Sequence, residues 1–450
     1  MIELGFSIYL TITILLCFVN IRFGIAMFIV YSILVPYFQF FSFGRNLFSV
    51  LILVALLYKY PINSLFFSPL KPFLFLFFAQ LLIIPFHDDI SYSVQLNLIR
   101  SDFMISILLP FALINVMAKD EKAIKLFTQV LFISIFIAAL YSFLLILTPG
   151  INPYLIILLP LSGEEFNEAY AEAFGGGRVF GRISGVFTHP MMNGLFLCLS
   201  FFFITSRIEI NSLLKNKFKL ILLLIIFASI ITMGVRSAIG AVMVGFICYL
   251  LLVRKIKMVI IGLFIYILFI QLITFIPGME EYINSMTEYN KDATVKGSSI
   301  ELRLEQLNGG LNEIRNNYIF GKGYGWTDYY LTFRVHPTML AFESLILVIL
   351  CNNGFIGFFI WGIMILNYIR NLRNKFFKND KAILISLLVT YLVYSVVTGE
   401  YSYLKYFLIF YSIIWVNGRQ KFNLNKKKIK HEKKKSTSNS ILSSSISSDS

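Results

Sequence analysis

The chain is 450 residues long, with 58% apolar residues, 14% charged residues and a mean hydropathy of +0.77. Soluble domains carry about 25% charged residues, so this composition excludes an ordinary soluble enzyme, and 12 Pro with 27 Gly exclude a collagen-like or low-complexity chain. The formal charge of +15 would suggest nucleic acid in a soluble protein; here it is first a question of membrane topology, and no nucleic-acid partner is expected.

A membrane span takes about 20 mostly apolar residues, fewer when flanking side chains snorkel. In chain order, spans are predicted over 5–19, 23–43, 47–58, 72–86, 103–118, 126–148, 188–205, 219–234, 237–253, 258–277, 354–369, 382–398 and 401–417. The segment 47–58 is short, so about 12–13 spans are expected. Segment 338–353 is apolar too and runs into 354–369 through Asn352-Asn353-Gly354. It reads as a helix lying against the outer face or entering the membrane part-way. The fold class is all-α: a polytopic integral membrane helical bundle with a large extracytoplasmic, part-helical loop. Cys17, Cys198, Cys248 and Cys351 lie in apolar stretches without metal-type spacing, so neither disulfides nor zinc are expected. Met1-Ile2-Glu3 has no basic n-region and 5–19 has no small-residue cleavage site, so a cleavable signal peptide is not expected.

Sidedness follows from lysine and arginine. The run Lys426-Lys427-Lys428-Ile429-Lys430, followed by Lys433-Lys434-Lys435, sets the C-terminus in the cytoplasm. Counting back, the chain divides into N-terminal transmembrane helices (1–148), an outer loop (149–187), central transmembrane helices (188–277), a large outer loop and helical domain (278–353), C-terminal transmembrane helices (354–418) and a basic, Ser-rich, disordered cytoplasmic tail (419–450). The two long outer segments are of a length that in compact proteins is usually functional. No internal repeat is visible, which counts against an inverted-repeat transporter.

Most positive charges then face the cytoplasm and are lysines. Those left outside are mostly arginines: Arg45, Arg100, Arg178, Arg182, Arg236, Arg303, Arg315 and Arg334. Arginine offers a planar fork that binds phosphate bidentately and keeps its charge. Such a set suggests an anionic ligand at the outer leaflet, such as a lipid pyrophosphate; pairing with outer acids such as Glu280 and Glu301 is the plainer alternative.

Four patches carry the chemistry. The first runs Gly175-Gly176-Gly177-Arg178-Val179-Phe180-Gly181-Arg182 through Thr188-His189-Pro190 to Asn193-Gly194, from the outer loop into a span. Gly234-Val235-Arg236-Ser237 is a tight external turn between two spans. A short amphipathic stretch containing Glu301, Arg303, Glu305, Glu313 and Arg315 leads to Gly321-Lys322-Gly323-Tyr324-Gly325. The last holds His336-Pro337 and Glu343-Ser344 and ends at Asn352-Asn353-Gly354-Phe355-Ile356-Gly357.

In order, spacing and sidedness this set resembles the O-antigen polymerase and ligase superfamily over roughly 170–370. Three departures stand out: the turn reads Val235-Arg236-Ser237 where the family has Ser-Arg-Ser, Met191 stands where the family has an Asn after Pro, and Asn317-Tyr318 stands for its Asn-Pro. The resemblance implies polymerisation of lipid-linked oligosaccharide repeats into O-antigen, capsule or exopolysaccharide at the outer face of the cell membrane. A ligase moving a glycan to another acceptor, and a non-enzymatic flippase, are the alternatives. It implies a polyprenyl-pyrophosphate-linked oligosaccharide donor in the membrane lipid, with the flippase and chain-length regulator of the same pathway as partners. No cofactor and no metal are implied. By position it assigns Arg182, Arg236 and Arg303 to the pyrophosphate and His336 or Glu343 to the base, with Arg178, His189 and Arg315 as further candidates. The rival site is His87-Asp88-Asp89, an acidic pair in the first clear outer loop, as in metal-dependent glycosyltransferases that use polyprenyl phosphates.

Overall fold

A computed structural model of the chain describes residues 2–36, 39–148, 151–158, 183–206, 216–257, 300–333, 342–373, 380–399 and 403–420. These residues form helices, with no strand among them. Five helical stretches are long and apolar enough to cross a membrane: Ser68–Phe86, Tyr92–Lys119, Glu121–Leu147, Leu345–Asn371 and Lys381–Thr398. Shorter apolar helices accompany them, and the chain is an all-α, multi-pass membrane protein.

The N-terminal helices are α1 (Ile2–Val19), α2 (Ile21–Leu34) and α3 (Gln39–Lys59). The sequence places a boundary at 44–46, between the predicted spans 23–43 and 47–58. The break instead follows Leu34. Val35 takes an extended conformation before Pro36, as the proline ring demands of its predecessor. Arg45 is buried within α3 and donates to the carbonyls of Val35 (2.8 Å) and Pro36 (3.0 Å). It satisfies acceptors freed by the helix break, so Arg45 leaves the set of ligand-binding arginines. The doubtful span 47–58 is the second half of a 21-residue helix.

Helix α4 (Lys71–Ile83) leads to α5 (Tyr92–Phe103), which continues through a π turn (Met104–Leu108) into α6 (Leu109–Lys119). Pro110 explains the π turn: it lacks the N–H that would bond the carbonyl one turn back, so the ladder widens locally. The predicted span 103–118 is therefore only the second part of a helix that begins at Tyr92 and contains Arg100. Helix α7 (Glu121–Leu144) and the short α8 (Pro153–Leu158) follow.

The central and C-terminal helices are α9 (Pro190–Thr205), α10 (Asn216–Thr232), α11 (Arg236–Leu252), α12 (Ile300–Glu313), α13 (Trp326–Phe333), α14 (Leu345–Asn371), α15 (Lys381–Thr398) and α16 (404–420). Predicted span 258–277 lies outside the described residues. Helices α11 and α15 pack closely because Gly245 lets Thr390 and Phe202 approach its backbone, the use of small residues expected between helices in lipid. One apolar core joins the bundle; a smaller one, around Ile314, Trp326, Tyr330, Phe342 and Cys351, ties α12 and α13 to the start of α14.

Residues 345–353 of the apolar segment 338–353 and the predicted span 354–369 are parts of one helix, α14, broken at Gly354 (φ 59°, ψ −157°), while 338–341 lie outside the described residues. A break strands backbone groups that lipid cannot satisfy. Here the chain at 318–323 satisfies them on both sides. Lys322 and Gly323 N–H donate to the carbonyls of Cys351 and Asn352, and Phe355 and Ile356 N–H donate to those of Tyr318 and Ile319. This clasp is what the run Gly321-Lys322-Gly323 builds.

The same run docks on the loop of the rival site. The His87 ring is buried, with Nδ1 2.9 Å from Gln95 Oε1 and Nε2 2.9 Å from the Phe320 carbonyl. Asp89 accepts from Lys322 Nζ at 3.1 Å and from Asn317 Nδ2 at 3.4 Å. Gln95 Oε1 also accepts from the Tyr324 N–H, and the Tyr324 hydroxyl reaches Asp102. His87 and Asp89 are thus engaged in fastening 317–325 to the bundle, while Asp88 is exposed. Among the described residues no group of three or more His, Cys, Asp or Glu is arranged to hold a metal ion.

Candidate functional site

Five stretches distant in sequence meet in a cleft of about 90 Å³, lined by His189, Pro190, Met191, Gly234, Val235, Arg236, Ser237, Arg303, Glu343, Val397 and Thr398. Each is brought there by a local rule. Pro190 sits at the first position of α9, where its missing N–H costs nothing. Val235 is extended at the cap of α11, so Arg236 and Ser237 open the first turn of that helix on the cleft. The first amides of a helix have no partner within it and carry the positive end of its dipole. With two helix N-termini and two arginines, the cleft is suited to an anion.

Arg303 comes from α12 and Glu343 from the strand-like residues before α14. Their closest approach is 3.8 Å, between an Nη and an Oε. That is an ion pair longer than a hydrogen bond. Burial pushes the Arg303 pKa down, Glu343 pulls it back up, and the nearby charge of Arg236 lowers it again. A guanidinium starts so high that it stays charged at neutral pH. The two arginines therefore repel one another in a half-buried cleft whose lining also holds the Glu343 carboxylate. An incoming anion relieves that repulsion.

Glu343 is held by a feature that sequence reasoning passed over. Helix α15 ends at Gly399 in the left-handed region (φ 82°), where a Cβ would lie 1.8 Å from the Phe342 carbonyl oxygen. The glycine lets the chain at 342–344 lie directly on the end of α15, and Thr398 and Val397 become a wall of the cleft. Thr398-Gly399 carried only a helix-stop signal; nothing local in it announced a site.

His189 lines the cleft, but its Nδ1 accepts from the Met191 N–H at 3.2 Å and caps α9. If capping is its task, His189→Asn, which also caps, keeps transfer activity within about twofold, whereas a base would lose about 10²-fold; rates of the purified variants separate the two. Asn193, noted for its nearness to the family's Asn position, is fully buried and holds Ser142 and the Ile183 carbonyl. It is scaffold. Asn152 does the same for Gly185, and Ile183 N–H donates to the Met233 carbonyl, so the chain at 183–185 is fixed beside the turn that bears Arg236.

Of the sequence candidates, Arg236, Arg303, Glu343 and His189 are brought together. Arg315 is exposed past the end of α12 and does not line the cleft. Arg178, Arg182, Arg334 and His336 lie outside the described residues.

Comparison with curated proteins gives no match. Residues 221–362 match the model of a family described as O-antigen ligase. That stretch contains Arg236, Arg303, Glu343 and the kink of α14, so the matched region and the cleft coincide. In general terms the family implies glycosyltransferase-like activity on a lipid-linked oligosaccharide. Over those residues the chain is similar to the O-antigen ligase family.

Proposed function

We propose that this chain is a polymerase of lipid-linked oligosaccharide repeat units, working at the extracytoplasmic face of the cell membrane on a polyprenyl-pyrophosphate donor. The observation that carries the reading is the convergence of Arg236 and Arg303 with Glu343 at the mouths of α9 and α11. In the reaction an acceptor hydroxyl attacks C1 of the donor sugar. A new C–O bond forms, the C1–O bond to phosphorus breaks, and its electron pair leaves on the pyrophosphate. Fixed arginine forks and helix amides stabilise that charge as it develops. The hydroxyl proton passes to Glu343 or His336. Arg182 enters through sequence alone, as the residue before Ile183.

The loose Arg303–Glu343 pair supports the sequence of events. A phosphate oxygen competes with the carboxylate for Arg303, and the displaced Glu343 becomes an acceptor for the proton. The glycosyl donor thereby switches on its own base. Charge stabilisation by arginine needs no divalent ion, so excess chelator should leave the rate unchanged.

Ligation is the second reading, favoured by the description of the matched family. Both reactions use one donor and differ in acceptor. Purified protein given a defined lipid-linked repeat unit should yield a ladder of lengthening products on the carrier lipid. A single transfer to an added foreign acceptor, with no ladder, would make it a ligase. Loss of activity on chelation would overturn the arginine mechanism, and no transfer to any acceptor would return the flippase reading.

A further inference from the structure

Away from the cleft, α3 packs against the π turn that follows α5 and leaves a groove of about 280 Å³. Its lining is Asn46, Leu47, Val50, Arg100, Ser101 and Met104. The surrounding surface is apolar and exposed: Val50 and Val54 on α3, Val94 and Leu96 on α5. Such a surface faces lipid. Within it Arg100 is exposed and, among the described residues, takes part in no ion pair and no side-chain hydrogen bond. Asn46 Oδ1 is buried and likewise has no hydrogen-bond partner among them. A charge on a lipid-facing helix is costly unless something neutralises it.

The helices also give the depth. Lys119 Nζ donates to Ser64 Oγ and lies 3.8 Å over the Tyr60 ring, so the lysine ends of α3 and α6 share one membrane boundary. Counting back at the helical rise, Arg100 stands about 28 Å from Lys119 and Asn46 about 20 Å from Lys59, against a hydrocarbon thickness of about 30 Å. Arg100 therefore sits at the opposite boundary, where phosphates lie. Leu47, Val50 and Met104 run inward from it along the path of an acyl chain.

We infer that this groove binds an anionic phospholipid, with Arg100 holding the phosphodiester. One arginine matches the single charge of a phosphodiester; the more highly charged pyrophosphate belongs with the arginine pair of the cleft. The π turn serves the site, because the widened helix opens the groove beside Met104. The inference shares no residue with the cleft and stands whether or not the proposed reaction does.

The test is native mass spectrometry of delipidated protein titrated with phosphatidylglycerol or phosphatidylcholine. Phosphatidylglycerol should bind at least about tenfold more tightly to the wild type than to Arg100→Gln, the scale of a lost charge-assisted hydrogen bond. Arg100 is exposed and unpaired among the described residues, so this variant should fold as the wild type does. Equal binding of phosphatidylglycerol to wild type and Arg100→Gln, or of phosphatidylcholine and phosphatidylglycerol to the wild type, overturns the site. Displacement of phosphatidylglycerol by an equimolar polyprenyl pyrophosphate would reassign the groove to the carrier lipid and overturn the identity of its occupant.

Discussion

Replacing Arg236 or Arg303 with alanine should lower the rate of glycan transfer by about 10²–10³-fold each, the usual cost of losing one fixed donor to a developing charge. Both side chains are only part-buried, so the variants should fold, and their melting in detergent should stay close to that of the parent. The fall should appear in kcat as well as in kcat/KM, because the pyrophosphate carries more charge as it departs than while bound to the sugar. A rise in KM with kcat unchanged would make the arginines binding residues and no more. Lysine should restore part of the rate, since it returns the charge without the fork. The double variant should lose less than the product of the single losses, because the two guanidinia act on one group and also repel each other. Polymer length and yield in cells carrying each variant give the same answer in a second way. Unchanged values for both would remove the cleft from the chemistry.

The residues of the cleft were legible in the sequence for a physical reason. Arg236 stood out as an arginine in a tight glycine turn between two apolar runs, and Arg303 and Glu343 were assigned by their places in the ordered patches that resemble the family. What the sequence did not carry was which charge meets which. Arg45 and Arg100 looked equivalent to Arg236 when all were counted among the outer arginines. A helix break at Pro36 buries the first, and a helix that starts at Tyr92 rather than 103 puts the second on a lipid-facing surface. Composition cannot separate an arginine that caps stranded carbonyls from one that waits for a phosphate. His87-Asp88-Asp89 shows the same limit of local reading. Its resemblance to a metal site is local, whereas its partners Phe320, Lys322 and Asn317 lie more than two hundred residues away. Most of the predicted apolar stretches coincide with described helices, because apolar length is a local property; the clasp at Gly354 was not legible, because it is a pairing between two backbones.

That clasp yields the other large expected effect. Gly354→Ala should destabilise the protein severely, by roughly 3–6 kcal/mol, combining backbone strain of about 1–3 kcal/mol with buried hydrogen-bonding groups left unmet. The conformation at φ 59°, ψ −157° is open to glycine alone, and an added Cβ would meet the Ile319 and Tyr318 carbonyl oxygens at 2.4 and 2.5 Å. Those oxygens accept from Phe355 and Ile356, so the methyl group cannot be accommodated without undoing the bonds that close the break. Gly362→Ala, in the second half of α14, is the matched control: nothing lies within 4 Å of its Cβ, and helix propensity alone should make it neutral or stabilising by up to about 1 kcal/mol. Thermal melting of the two purified variants in detergent decides the matter. The effect should also reach the cleft, because the clasp ties α12, which bears Arg303, to the start of α14, which follows Glu343. Whatever Gly354→Ala protein can be recovered should therefore transfer glycan more slowly than its folded fraction accounts for. If it melts with Gly362→Ala, the break in α14 does not depend on the chain at 318–323, and the coupling between kink and cleft is absent.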